Sequence, residues 1–328
     1  MQRNNSLPTF TDLAVAELGG PRAQVFFDIC QREIPFERLA ESVTDLFDDD
    51  DDDRRPTGGA PHWPVVTMLK IIFLQKCFAL SDPMAEEMLK DRISFRRFVG
   101  LSFDDKTPDH STISVFRKRL RERGHGSTLF DTTLQVLRER GLVLNTGTLI
   151  DAAIIEAPLG GKRADGSSSA DPRASKTVKG GRSYNGYRTH IASNRRGIIT
   201  DYVYDSARVS VHEHFDHLAR DEHKVVFADS GCRSRDRVRR LRERGVLAGL
   251  CHRRVRGQRE LTPEQRRMNR LIAPIRAFAE HPFAWIKQRL NNRRTRYRGL
   301  TRNALDFALS AMAYNFCRCF TLKTVASP

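Results

Sequence analysis

The apolar residues of this chain change their period once, near Gly141, and that change decides the architecture. Before it the spacing is helical. Met68, Ile71, Ile72 and Leu74 lie in a run that ends at Ser81-Asp82-Pro83, a fresh helix start. PDHSTISVFRKRLRERGHG predicts a helix capped by Asp109 or Ser111, with Ile113, Phe116 and Leu120 on one face and Arg117, Lys118, Arg119, Arg121 and Arg123 mostly on the other. That helix reads either as the second helix of a helix-turn-helix or as an ordinary solvated amphipathic helix. After Gly141 the runs are short and strand-like. LVLNTGTLIDAAIIEA gives two about an Asn-Thr-Gly turn, HIASNRRGIITDYVYD two more, and KVVFADSG one running into a turn. SRDRVRRLRERG predicts a helix capped by Ser234 and closed by Gly245, LAGLCHR a short strand, and the stretch from about Pro263 a long helix. The expected fold is mixed α/β or α+β: a helical domain over residues 1–145, then a domain with a mixed sheet over 146–328.

Two polar stretches interrupt this plan. FDDDDDDRRPTGGAP, about residues 48–60, reads as a disordered acidic loop, because consecutive like charges spread outward instead of converging on a metal. LGGKRADGSSSADPRASKTVKGGRSYNG, about residues 158–185, reads as a flexible basic loop, either an arm that orders on nucleic acid or a plain insert.

Charge is the informative part of the composition. The whole chain carries a formal +16, and Gly231 to Arg302 alone holds 22 Lys and Arg against 5 Asp and Glu, a local +17. A field this lopsided attracts a polyanion, and double-stranded DNA is the expected partner. The most apolar run, VVTMLKIIFLQKCFAL, is interrupted by Lys70 and Lys76, so no membrane segment is expected and a cytoplasmic, nucleoid-associated location follows. The six cysteines lack a paired metal spacing and read as reduced thiols.

Three carboxylates stand in odd places. Asp151 lies inside the apolar run TLIDAAIIEA, where an unpaired charge is costly unless a cation or strong donors hold it. Asp229 comes at the carboxyl end of the strand in VVFADSG, where open α/β sheets present their ligands. Glu280 is the only acid between Arg266 and Asn303, spaced four residues from Arg276 and seven from Lys287, which aligns the three along one helical face. Taken singly, each reads as a cap, a hydrogen-bond partner or a salt-bridge partner. Together they are an oxygen donor set suited to Mg²⁺ or Mn²⁺. Pro282 predicts a kink or a helix start beside Glu280.

Asp151 in LIDAAIIEAP, Asp229 in VFADSG and Glu280 in the R-x3-E-HPF-x3-K segment resemble the three acidic motifs of DDE transposases of bacterial insertion sequences, in the insertion-sequence four and five grouping. LSDPMAEEMLKD, FRRFVGL and PDHSTISVFRKRL resemble that family's helical N-terminal region, and YNGYRTHI the strand after its first aspartate. Ala273 stands where the family's last motif often has Tyr. The resemblance implies a ribonuclease H-like catalytic domain, a helical DNA-binding domain and two Mg²⁺ (or Mn²⁺) ions held by Asp151, Asp229 and Glu280. It also implies cleavage at the element's terminal inverted repeats followed by strand transfer into target DNA by a homodimer. Arg276 and Lys287 are the expected phosphate-positioning residues, with Lys179, Arg188, Arg293 and Arg294 as further candidates for backbone contacts. The rival readings are a catalytically inactive DNA-binding derivative and a metal-dependent nuclease that cuts without joining.

Overall fold

The computed structural model describes residues 22–50, 61–143, 147–161, 170–220, 222–254 and 257–326. The chain forms two compact units. One reaches to Thr133 and takes in Ala308–Phe320, and the other runs from Leu134 to Phe307.

The first unit is helical: α1 (Arg22–Glu33), α2 (Phe36–Glu41), α3 (Val65–Cys77), α4 (Asp82–Asp91), α5 (Ile93–Val99), α6 (His110–Glu122) and the first turns of α7 (His125–Glu139). Helix α3 is apolar nearly all round and buries ten of its residues, as a central helix must. Around it Phe27, Phe36, Phe73, Phe95 and Phe98 interlock, with edge-on pairs such as Phe27–Phe95 at 5.6 Å and Phe36–Phe73 at 5.8 Å. The expected starts are where the sequence put them: Ser81 caps α4 and Asp109 caps α6 by accepting from Thr112 N–H at 2.6 Å.

Two expectations for α6 change. Ile113, Phe116 and Leu120 are buried, but so is Arg117, whose guanidinium grips Asp82 across 35 residues of chain. Pairing with a half-buried carboxylate outweighs the pull of the solvated face, so Arg117 leaves the basic row. The segment between α5 and α6, Gly100–Asp109, is also longer than the turn of about 3–4 residues that joins a helix-turn-helix. Of the acidic run, Asp48–Asp50 close a 3-10 turn that begins at Thr44, and the remainder lies outside the described residues.

The second unit is built on a six-stranded mixed sheet: β1 (Thr148–Glu156), β2 (Ser175–Lys179), β3 (Arg182–Ser193), β4 (Ile199–Ser206), β5 (Val225–Ala228) and β6 (Leu247–Leu250). Strand β3 pairs antiparallel with β1, β2 and β4, while β1, β5 and β6 run parallel. Helices α8 (Val211–Leu218), α9 (Arg235–Glu243), α10 (Pro263–Ala277), α11 (Glu280–Arg289) and the start of α12 (Leu300–Ala326) complete it. Phe215 and Leu218 of α8 and Leu241 of α9 share a core with Ile150, Ala192, Val226 and Ala228 of the sheet. This mixed α/β order is consistent with a ribonuclease H-like fold. Ser234 caps α9 and Gly245, at φ +71°, follows its end, as the sequence predicts.

Two segments depart from expectation, and a third meets it. Leu142 and Val143 are not a strand: Gly141, at φ +66°, stops α7, and Leu142 N–H turns back to Leu137 O at 2.9 Å. The stretch expected to be a loop over 158–185 contains β2 and the start of β3, because SKTVK is held by its ladder to β3 and not by burial. Its residues 162–169 lie outside the described ones. The helix start expected beside Glu280 is present. Pro282 has no N–H for Phe278 O, His281 N–H takes that oxygen at 3.3 Å, and the helix restarts as α11 at Glu280.

Gly186 marks the tightest approach in the sheet. A Cβ there would meet Ile155 O at 2.1 Å and Ala157 N at 2.9 Å, both backbone atoms of the chain around β1. Gly186→Ala should therefore cost about 3 kcal/mol. Thermal unfolding checks this, and an unchanged melting temperature would show that β1 and β3 separate freely at that point.

Candidate active site

The sheet register brings the first two carboxylates together. Ile150 of β1 pairs in parallel with Ala228 of β5, so the next residue on each, Asp151 and Asp229, stand level on neighbouring chains. Adjacent strands lie about 4.8 Å apart. Asp151 is half-buried and its Oδ1 accepts from Ala152 N–H at 2.8 Å. Asp229 leaves the sheet, accepts from Ser230 N–H at 2.6 Å and opens a short 3-10 turn, which keeps its carboxylate exposed.

The third carboxylate arrives through Arg276. Its Nη2 meets Glu280 Oε1 at 3.4 Å and its Nη1 stands 3.8 Å from Asp229 Oδ1. The four-residue spacing survives the break between α10 and α11 because Phe278 and Ala279 stay in right-handed helical geometry. One guanidinium thus joins two carboxylates from distant parts of the chain. Burial pushes the Asp151 carboxyl above the usual carboxylate range, and Glu280 adds to the rise. The Ala152 N–H, Arg276 and Lys179 act against it.

The donor chemistry fits a hard divalent cation, since all three groups offer carboxylate oxygens. Among the described residues, however, no three His, Cys, Asp or Glu side chains stand close enough together to hold a metal ion. Asp229 and Glu280 are turned to Arg276 instead. A metal at this place would be held by Asp151, Asp229 and Glu280 once Arg276 gives up those pairs.

Beside the carboxylates lies a polar cavity of about 270 Å³ lined by Ile154, Glu156, Ala284, Lys287, Gln288 and Arg293. Its wall is set by backbone: Glu156 N–H donates to Arg293 O at 3.1 Å, and Thr295 N–H to Glu156 O at 2.8 Å, which ties the Arg293-Arg294 segment to the end of β1. Burial lowers the Lys287 pKa, and neighbouring Lys179 and Arg293 lower it further against Asp151 and Glu156. Lys179, Arg293 and Arg294 are exposed. Arg188 is differently placed: it donates to Val209 O at 3.0 Å and to Thr177 Oγ1 at 3.2 Å, so its guanidinium is engaged within the protein.

Nucleophile chemistry finds no support nearby. Burial pushes the Cys232 thiol up to about 12, and it raises the Cys251 thiol as well. His190 is fully buried with neither ring nitrogen bonded, its pKa lowered to about 3 by burial first and by His214 and Arg188 after it. His212 Nδ1 lies 3.0 Å from Arg237 Nη1, a packing role.

Sequence reasoning passed over the end of β6. Cys251 follows β6 as Asp229 follows β5, and the electrostatic surroundings of its thiol include Asp229, Arg276 and Arg233. Asn269 of α10 clamps the next residue, accepting from His252 N–H at 2.7 Å and donating to His252 O at 3.0 Å. The signal was there in the parallel strand ends; what a single sequence withheld was which strands are neighbours.

A mixed sheet with two level aspartates at neighbouring strand ends is consistent with a ribonuclease H-like fold. Residues 144–316 match the transposase DDE domain family, and residues 23–119 match a transposase domain of the DUF772 type. The chain belongs to the DDE transposase family of insertion sequences. No solved structure matches it. Among the described residues no helix is long and apolar enough to cross a membrane.

The raised Asp151 has a consequence for stability. Its folded carboxyl holds the proton more tightly than the unfolded one, so its contribution favours folding below the ordinary Asp value and is lost as pH rises through the raised value. Asp151→Asn should remove that loss. Without metal, the variant should melt above the parent at about pH 7 and level with it at about pH 3. Equal melting at both would mean that the buried charge costs nothing.

Proposed function

We propose that this transposase cleaves DNA at the ends of its element and joins those ends to target DNA by metal-dependent phosphoryl transfer. The observation that supports the reading is the level placing of Asp151 and Asp229 on neighbouring strands, with Arg276 paired to both Asp229 and Glu280. Asp151, Asp229 and Glu280 would hold two Mg²⁺ or Mn²⁺ ions, which when bound supply activation of the attacking hydroxyl and charge stabilisation at the leaving oxygen. The remaining work falls to the chain's own side chains. Lys287 and Arg293 bind and orient a phosphate next to the carboxylates, and the anion restores to Lys287 the charge that burial disfavours. Arg276 neutralises Asp229 and Glu280 until the substrate and its cations arrive, then turns to the DNA backbone. Arg294 and Lys179, both exposed, extend the track. The basic surface from Gly231 to Arg302 supplies sequence-independent attraction, and a homodimer holds the two element ends.

Asp151→Asn separates chemistry from binding. It removes one charge from the carboxylate group and leaves the arginine-rich surface as it was, so cleavage and joining should fall by about a thousandfold or more while metal-free DNA affinity holds or rises slightly. Gel assays of cleavage and strand transfer, run beside a thermal melt, read both. Full activity per folded molecule would make Asp151 a structural group. Release of cut ends that never join a target would favour the nuclease.

The track has its own measurement. Log affinity should fall linearly with log salt, and replacing Arg293 and Arg294 by Gln should flatten the slope by about 2, near 0.9 for each phosphate no longer neutralised. An unchanged slope would move the DNA path away from this segment.

A further inference from the structure

The helical unit holds a cavity of its own, of about 250 Å³. Phe47, in the 3-10 turn, and His62 stack face to face on its wall, with ring centroids 4.2 Å apart and planes 18° from parallel. The Arg119 guanidinium lies 4.8 Å from the Phe47 centroid. Trp63, Ser111 and Val115 also line the space, and Val115 is 50% exposed, so the cavity opens to solvent along α6. At this size it is below the range of about 300–1,000 Å³ typical of drug-sized ligands and suits a single ring system. Its chemistry is that of a flat ligand with hydrogen-bonding edges: aromatic faces, a guanidinium and a hydroxyl. Lys118 and Arg119 stand on the same helix for an anionic tail, and Lys118 is 61% exposed, at the 4.0 Å limit of a pair with the exposed Glu122. Asp45, the nearby acid that would repel such a tail, is engaged by Arg123 at 3.6 Å and His125 at 2.9 Å.

We propose that this cavity takes one unpaired nucleobase of a DNA strand, stacked on the aromatic wall, with the adjoining phosphates on Lys118 and Arg119. The inference rests on the reading of this chain as an enzyme of DNA and deepens it. The helical unit grips an unstacked base, at a frayed or single-stranded end, and not only the outside of a duplex. A base within a duplex reaches such a pocket only by leaving its stack, which costs a few kcal/mol. Unpaired strands are therefore its preferred substrate.

The test uses the full chain in EDTA with a single strand of about 16 nucleotides carrying one 2-aminopurine, and with the blunt duplex of the same sequence. The single strand should bind with quenching of the 2-aminopurine, and the duplex should bind without it. His62→Ala should abolish the quenching and weaken single-strand affinity about 5- to 100-fold, the span of one base–aromatic stack, while duplex affinity holds. His62→Phe keeps a stacking face and should keep the quenching. Should His62→Ala fail to fold, Arg119→Gln carries the same expectation. Quenching that survives these variants, or an equal loss on both DNA forms, would overturn the proposal. So would equal quenching of free 2-aminopurine riboside, which would assign the pocket to free nucleosides. If the parent binds duplex and the base stays bright, the pocket alone falls; if it binds neither DNA, the reading of the chain as a DNA enzyme falls with it.

Discussion

The parallel pairing of β1 with β5 is the constraint on which the site depends. Ile150 opposite Ala228 puts Asp151 and Asp229 at one level, and any slip of one residue would turn one of them to the other face. The register is protected from both sides. Antiparallel pairing with β3 fixes β1 over eight residues, and Gly186 lets that backbone come closer than any side chain would permit. The parallel run of β6 fixes β5, with Ala228 opposite Leu250. A carboxylate group assembled from separate strands thus needs no local stabilisation of its own, because the ladder holds the chain positions whatever the charges prefer.

The charges prefer a cation. Two acids side by side, with Asp151 partly removed from water, form a strained electrostatic arrangement in isolation. Arg276 relieves it from the one element that also delivers Glu280. This explains a lone glutamate within a segment dense in arginine. Its charge is matched within its own helix turn, so the surrounding basic field remains available to an external polyanion. The same arrangement makes divalent cations and Arg276 competitors for the same oxygens. In the proposed reaction, cation entry would release the guanidinium, and a DNA phosphate is the natural acceptor for it.

Much of this was legible because it is written in local chemistry. The period change at Gly141, the caps at Ser81, Asp109 and Ser234, the stops at Gly141 and Gly245, and the helix break at Pro282 each follow from a residue and its near neighbours. The odd placement of Asp151 could be seen for the same reason. What escaped was set by distant partners. SKTVK has little to bury and becomes a strand only because β3 offers a ladder. Arg117 looked like part of a solvated row and is buried because Asp82 waits 35 residues earlier. The bonds of Arg188 to Val209 O and Thr177 Oγ1 likewise depend on partners elsewhere in the chain. Cys251 was unremarked because its neighbour is a strand end, which one sequence does not reveal.

The two units divide the electrostatic labour unequally. Nearly all of the net positive charge belongs to Gly231–Arg302, while the rest of the chain is about neutral. Attraction that depends on net charge is long-ranged, screened by salt and indifferent to sequence. In the proposed reaction it would gather DNA at the carboxylates without selecting an end. Selection must then come from contacts of shorter range, and a helical unit with a slight negative net charge and an open aromatic cavity is suited to supply them, since stacking is felt only on contact and is little affected by salt. A chain that concentrated its basic charge in both units would bind any DNA tightly with both and discriminate poorly. Keeping net positive charge out of one unit lets the weaker, shape-dependent contacts decide where the stronger, unselective ones act.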